Sequence, residues 1–171
     1  MRTTAQHLGL SLKGVCFYPR GGAAGAVLEA VALAARRAPG RAVMALFDTD
    51  KPGQGSARQL NDDFRWKQKK KERLGVLTYD RWIAPCGHPV VAEDMFTNAT
   101  IEAFFDLPEN QDHQPERLWR EKTRTWHYRF AGKKKAAFTE WLRATGTPAT
   151  FERFGDLIDL LRQIADGGPI P

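Results

Sequence analysis

Arg41-Ala-Val-Met-Ala-Leu-Phe47 runs directly into Asp48-Thr-Asp50-Lys-Pro-Gly53, and this stretch decides the predicted fold. A short apolar run closed by two acids and a Gly/Pro turn is typical of a buried strand in an α/β protein. Ligands bind at the carboxyl edge of such sheets, where this strand would deliver Asp48 and Asp50. Carboxylates two residues apart on a strand project from one side, so both could address one Mg²⁺ ion. The alternative is that they cap a turn and the following helix, which aspartate also favours.

The segments around this stretch alternate between strand and helix. Strands are predicted over Lys13–Tyr18, Arg41–Phe47 and Val90–Ala92, and a short strand or hairpin over Val76–Tyr79 and Trp82–Ala84. Helices are predicted over Ala23–Arg37 and Ser56–Arg73, and Thr97 or Asn98 is predicted to cap a helix that runs through Phe105. Gly75 is predicted as the C-cap of the second helix. Alternating elements with short connections indicate a parallel sheet flanked by helices.

The last third of the chain has a different pattern. We predict an α/β core over residues 1–106 and a C-terminal extension over residues 107–171, packed on the same domain. The extension reads as a polar loop over Leu107–His113, a strand over Thr123–Phe130, and amphipathic helices over Lys133–Ala144 and Thr150–Ala165.

Composition narrows the class of protein. The chain has 171 residues, which suits one domain, and 26 Lys+Arg against 20 Asp+Glu give a formal charge of +6. That excess favours anionic partners, nucleic acid first. Cys16 is expected to be a buried thiol, and with Cys86 it makes no zinc pattern. The sequence shows neither a membrane-spanning apolar run nor a signal-peptide region, so a reducing, cytoplasmic setting without membrane association is expected.

Several of these pieces, in this order, resemble a known family. Gly21-Gly22, a helix, the strand ending in Asp48-Thr-Asp50, and Gly53 are similar to the middle of a Toprim domain. Toprim is the Mg²⁺-binding module of topoisomerases, DnaG-type primases and OLD-family (overcoming lysogenization defect) nucleases. The downstream pieces are most similar to the OLD branch: Ala92–Phe96, a helix over Ile101–Leu107, Gly132–Lys135, and a closing helix over Phe151–Ile164. The resemblance spans about residues 7–165 and implies a Rossmann-like Toprim sheet with a C-terminal helical extension.

The resemblance implies a DNA endonuclease that uses Mg²⁺ or Mn²⁺. Two ions about 4 Å apart would polarise the phosphate, generate hydroxide and stabilise the leaving 3′ oxygen. Asp48 and Asp50 would be the central ligands, with Glu93 or Asp94 completing the oxygen-rich site. The alternative for Glu93-Asp94 is a solvated helix N-terminus, where acids favour the helix dipole.

The same resemblance implies a lysine that neutralises charge at the phosphate. Lys135 fits best, and Lys133 and Lys134 remain open, as does a plain solvated helix start. The family's first strand, which ends in a metal-linked glutamate, would precede Thr3–Gly9, and no acidic residue occurs before Glu29. That acid would be lost, supplied by another chain, or part of an upstream domain.

Two basic clusters are candidates for binding nucleic acid. The first is Arg65–Lys71, on a predicted helix, whose alternative is an exposed face with Trp66 buried. The second, Arg117–Arg129, interleaves arginines with Trp119, Trp126 and Tyr128; aromatics with arginines can stack on bases, yet tryptophans in small domains are commonly core. The residues predicted to bind nucleic acid are Lys67, Lys69, Lys70, Lys71, Lys133 and Lys134.

Three functions are compatible with these residues. The first is the OLD-like Toprim nuclease, in phage defence or DNA processing, with DNA, an ATPase domain or partner chain, and a second copy of itself as candidate partners. The second is a catalytically incomplete Toprim module that binds nucleic acid or a partner protein. The third is a haloacid-dehalogenase-like phosphatase with Asp48 as nucleophile, which the Lys51-Pro52 pair disfavours because it replaces the usual hydroxyl residue.

Overall fold

The computed structural model describes residues 2–11, 13–18, 22–63, 73–83, 89–121 and 124–170. The α-helices are α1 (Arg2–His7), α2 (Ala23–Arg36), α3 (Lys51–Asp62), α4 (Asn98–Phe105), α5 (Gly132–Thr145) and α6 (Gly155–Ala165). The strands are β1 (Val43–Phe47), β2 (Leu74–Thr78), β3 (Glu116–Arg120) and β4 (Thr125–Arg129). Short 3-10 helices cover Tyr79–Arg81, Ala92–Met95, Pro108–His113 and Pro148–Phe154.

The sheet of the N-terminal half is a parallel pair. β1 and β2 lie side by side, with Val43 opposite Leu74 and Phe47 opposite Thr78. Helices α2 and α3 pack against the pair and bury a small-residue core. The alanines of α2 and β1 let helix and strand approach closely, while Leu60 of α3 is fully buried. The predicted α/β class is confirmed at this level: a parallel strand pair with helices packed against it.

Three other predicted strands do not form in the residues that the structure describes. Lys13–Tyr18 is irregular, and Gly14 has φ +84°, a left-handed conformation that does not continue a strand. Val90–Ala92 forms no strand pairing with β1; it contacts the end of that strand through Thr49 and Asp48, and the chain then turns into a 3-10 helix at Ala92. Of the predicted strand Trp82–Ala84, Trp82 and Ile83 form turn and bend, and Ala84 lies outside the described residues.

The second helix is displaced from its predicted position. α3 begins at Lys51, five residues before Ser56, because Asp50 caps it and Pro52 fits its first turn. It ends at Asp62, and residues 64–72 lie outside the described part of the chain. Gly75 is not a C-cap: it is buried inside β2, where a Cβ atom would lie 2.5 Å from Met44 and from Ile170.

The C-terminal half is built around an aromatic cluster. Its buried members include Phe104 and Phe105 of α4, Phe138 of α5, and Phe151 and Phe154. Their rings meet mostly edge to face, the arrangement that the aromatic quadrupole favours. The predicted N-cap of α4 is confirmed, since Thr97 Oγ1 accepts the Thr100 N–H at 3.2 Å. Leu46 and Tyr79 from the N-terminal half pack against the same cluster.

The predicted strand of the C-terminal extension has a partner. β4 forms an antiparallel hairpin with β3, with Trp119 opposite Trp126. The predicted polar loop over Leu107–His113 is instead largely a 3-10 helix, stabilised where the Asn110 amide donates to the Phe104 carbonyl at 2.8 Å.

The end of α6 returns to the start of β2. Arg73, at φ +71°, donates from Nη1 to the carbonyls of Gly167 at 2.8 Å and Gly168 at 3.2 Å, and from Nη2 to that of Ile164. These bonds hold the start of β2 against the end of α6 and the residues that follow it.

The described residues bear on the predicted burial of Cys16 and on membrane-spanning helices. Cys16 is exposed, so its predicted burial is wrong; Cys86 lies outside those residues. Among the described helices, none is both long and apolar enough to cross a membrane.

Candidate metal centre

The predicted acids lie where β1 ends, and backbone contacts there join two segments of the chain. Thr49 is buried, and its N–H donates to the Val90 carbonyl at 2.7 Å. Asp48 Oδ1 accepts the Ala92 N–H at 3.0 Å. The Ala92–Met95 turn, which carries Glu93, is therefore held against the carboxyl end of β1.

Glu93 is the most enclosed acid of this site. The residue is 8% exposed, and its Oε1 lies 2.8 Å from Nζ of Lys135 in the first turn of α5. Its Oε2 is buried and meets no hydrogen-bond partner among the described residues. An unpartnered buried carboxylate oxygen is costly, and a bound cation is one means of satisfying it.

Asp50 adopts the capping role that the sequence left open. Its Oδ1 accepts the Gly53 N–H at 2.8 Å and caps α3. Gly53 is required at this position because a Cβ atom would lie 2.1 Å from the Asp48 carbonyl oxygen. A carboxylate has more acceptor sites than one cap uses, so the metal role of Asp50 stays a prediction.

Asp94 is anchored by both carboxylate oxygens. Oδ1 lies 2.8 Å from Nδ1 of His127 on β4, and Oδ2 accepts the Val91 N–H at 2.9 Å. Both side chains of the Asp94–His127 pair are buried, and Arg153 donates to the Asp94 carbonyl at 3.1 Å. In this arrangement Asp94 fixes the turn that carries Glu93, and its role as a metal ligand stays a prediction.

Four charged groups of the site influence one another. Burial and then the nearby Glu93 carboxylate raise the pKa of Asp48, against the Ala92 hydrogen bond and the charge of Lys135. Partial burial lowers the pKa of Lys135, but its hydrogen bond to Glu93 and the charges of Asp48 and Asp50 outweigh this and raise it. We call Asp48, Asp50 and Glu93 the acidic cluster; Lys135 is its internal cation.

Tyr79 belongs to this site, although the sequence analysis did not select it. It follows β2 directly, so the carboxyl-edge argument applied to the second strand would have found it. Burial, with smaller contributions from the charges of Asp48 and Glu93, raises the pKa of its hydroxyl. The phenol therefore stays neutral at physiological pH and can act as a hydrogen-bond donor.

Of the two neighbouring lysines, Lys134 contacts a different residue. Lys134 Nζ lies 2.7 Å from Oδ1 of Asn110, and Lys133 is exposed. Only Lys135 of the three is placed at the acidic cluster by a described contact. Other predicted site residues lie outside the described part of the chain: Gly21, Lys67, Lys69, Lys70 and Lys71.

The donor atoms of the acidic cluster suit a hard divalent cation, but the side chains are too far apart in this structure to bind one together. Its donors are carboxylate oxygens, which Mg²⁺ and Mn²⁺ prefer, and one of them is buried without a partner among the described residues. Within the described part of the chain, however, no three His, Cys, Asp or Glu side chains are close enough together to hold a metal ion. The Lys135 ammonium supplies the positive charge beside Glu93 in this arrangement.

Comparisons with known proteins add no identification. No protein-family model, curated protein or solved structure matches this chain. The Toprim resemblance accordingly remains a hypothesis that rests on the residues and their order.

Proposed function

We propose that this chain is a metal-dependent DNA endonuclease of the OLD-like Toprim kind. The observation that carries the proposal is Glu93, with one carboxylate oxygen on Lys135 and the other buried without a described partner, beside the end of the strand that carries Asp48. Acids gathered at the carboxyl end of a parallel strand, with a lysine among them, are suited to binding a cation and a phosphate together.

In this proposal Asp48, Asp50 and Glu93 would hold Mg²⁺ or Mn²⁺, which would supply Lewis acidity at the phosphate and a more acidic water. Once the carboxylate of Glu93 has another cation, the Lys135 ammonium is released to pair with a non-bridging phosphate oxygen. The water oxygen would bond to phosphorus and lose a proton to solvent, the P–O3′ bond would break, and the 3′ oxygen would take a proton from solvent, which leaves a 5′ phosphate and a 3′ hydroxyl. The neutral Tyr79 hydroxyl is a donor available at the same edge.

The cellular role proposed with this activity is phage defence or DNA processing in the cytoplasm. An ATPase domain or partner chain and a second copy of this chain are candidate partners in this role. Sedimentation with and without DNA would show whether the chain self-associates.

The test is plasmid nicking by the purified chain with Mg²⁺, Mn²⁺ or EDTA. We expect nicking that requires metal and is abolished in Asp48→Asn, a variant whose amide oxygen can still accept the Ala92 N–H. The matched control is Asp159→Asn, an exposed acid on α6 that pairs with Arg162 and lies outside the acidic cluster. Cleavage that persists in Asp48→Asn, or in EDTA, contradicts the proposed site.

A second candidate function is a Toprim-like module that binds nucleic acid or a partner protein without cleaving. Two observations favour it: Lys135 already neutralises Glu93, and Asp50 is used as a helix cap. A folded wild type that binds DNA equally with and without metal, does not cleave it, and binds unchanged in Asp48→Asn would support this function over the first.

A further inference from the structure

Two tryptophans are exposed side by side on the β3–β4 hairpin. Trp119 is 44% exposed and Trp126 is 40% exposed, and they face each other across the two strands. Their ring centroids are 5.1 Å apart, with the planes at 64°. A contiguous apolar patch exposed to solvent is a common mark of an interaction site.

Neighbouring residues hold this pair in place from both faces of β4. Trp126 and His127 project to opposite faces, and His127 is fixed by Asp94. Tyr128 lies on the same face of β4 as Trp126. Tyr128 is buried, and its hydroxyl donates to Glu102 on α4. The face is thus covered by α4 at Tyr128 and open at the tryptophans.

The charge around the pair favours an anionic partner. Residues 116–129 contain five basic and two acidic side chains. Arg117 lies on the same face as Trp119, with its guanidinium carbon 5.8 Å from the Tyr128 ring centre. Arg124 is exposed at the end of the hairpin, one residue before β4. Arginines beside exposed indoles combine phosphate pairing with a surface for stacking.

We propose that the Trp119–Trp126 pair is a stacking platform for unpaired nucleotide bases, so that the hairpin binds single-stranded nucleic acid. Bases inside a duplex are stacked on each other and offer no free face to an indole, whereas unpaired bases do. The inference deepens the proposed function by naming its substrate as single-stranded segments or frayed ends. It rests on that function only for the cutting of the bound strand.

The experiment measures binding without metal, in EDTA, by the fluorescence anisotropy of a labelled oligothymidine of about 15 nucleotides, against a blunt duplex of equal length. The variants are Trp119→Leu and Trp126→Leu, which keep an apolar contact across the hairpin and lose the aromatic face. Tyr18→Leu is the matched control, since Tyr18 is a 53% exposed aromatic residue outside the hairpin. We expect the wild type to prefer the single strand, each tryptophan variant to bind it about 10-fold more weakly, and the control to be unchanged.

Several outcomes overturn the inference. One is a tryptophan variant with wild-type melting temperature and wild-type affinity; another is a wild type that binds duplex and single strand equally. If the variants do not fold, wild-type tryptophan emission decides: quenching at saturating oligothymidine supports stacking, and unchanged emission overturns it. Self-association through the pair without oligonucleotide binding also overturns it. A wild type that binds single strands but never nicks plasmid contradicts the nuclease and leaves this inference standing.

Discussion

Nζ of Lys135 lies 2.8 Å from Oε1 of Glu93, and the pair joins the first turn of α5 to the turn that follows Val91. The lysine side chain is 47% exposed and that of the glutamate is 11% exposed, so the carboxylate is the enclosed partner. Removing the ammonium would leave the Glu93 carboxylate buried without a compensating positive charge. A divalent cation could supply that charge in its place. The ion pair therefore occupies a position for which the proposed metal competes.

Lys135→Met should lower the melting temperature in EDTA and increase the stabilisation that Mn²⁺ gives. The loss is expected to be about 1 kcal/mol, since solvent screens the half-exposed ammonium and reduces the cost typical of a buried pair. Thermal unfolding with a Mn²⁺ titration measures both effects without reference to activity. Lys134→Met, in the same turn of α5 but bonded to Asn110, should leave the Mn²⁺ response unchanged. A Lys135→Met response to Mn²⁺ no larger than that of the wild type argues against competition.

Asp48→Asn should stabilise the metal-free protein at neutral pH. The pKa of Asp48 is raised above its ordinary 3.8, so its contribution favours folding below the unfolded-state pKa and is lost as pH rises through the folded-state pKa. At pH 7 the ionised carboxylate is therefore a net cost, of less than about 1 kcal/mol because solvent screens a half-buried group. Urea unfolding at pH 7 should show the gain for Asp48→Asn, and unfolding near pH 3 should show it reduced. Equal effects at both pH values would mean that charge is not the cause.

His127→Ala should be strongly destabilising because it leaves the Asp94 carboxylate buried without its imidazole partner. We expect a loss of about 3 kcal/mol in the free energy of unfolding, as for other broken buried pairs. Chemical denaturation measures it. Arg162→Ala removes the exposed pair with Asp159 and should cost less than about 0.5 kcal/mol. A loss for His127→Ala as small as that of the control would show that the Asp94–His127 contact is dispensable to the fold.

Gly53→Ala and Gly55→Ala should have opposite effects although both lie in α3. A Cβ atom at Gly53 would lie 2.1 Å from the Asp48 carbonyl oxygen, whereas one at Gly55 meets nothing within 4 Å. The first change should cost about 1–3 kcal/mol through overpacking, and the second should stabilise the helix by up to about 1 kcal/mol. Paired thermal melts test the difference in sign. Gly53→Ala should also move Asp48, which a loss of Mn²⁺ stabilisation would report.

The elements that sequence predicted well are those with a local cause. β1 is a short apolar run with an abrupt polar end, and α4 has a threonine cap in front of apolar residues. The residues of each segment are therefore enough to predict it. Val90–Ala92 is equally apolar but forms no strand, because its contacts are to Asp48 and Thr49, beyond the end of β1, and not to the strand itself. Gly75 looked like a helix end, yet its size is dictated by Met44 and Ile170, which no local pattern reveals.

The candidate site divides in the same way. Asp48 and Asp50 were identifiable because strand ends collect ligands, and Lys135 because the family resemblance supplied it. The pairing of Asp94 with His127 was not, since 33 residues separate them and neither has a distinctive neighbourhood. The nucleic-acid prediction for Lys67, Lys69, Lys70 and Lys71 falls outside the described residues and stays a prediction.

The bonds from Arg73 to the carbonyls at residues 164–168 bear on how the chain matures during synthesis. The Ile170 side chain also meets the backbone of β2 at Gly75. The start of β2 therefore obtains these partners only after residue 170 has left the ribosome, more than 90 residues after Arg73 itself was made. Before that point, β2 has no contacts with residues 164–170. The amino end of this strand therefore stays without these contacts while the residues between Arg73 and Ile164 are being synthesised.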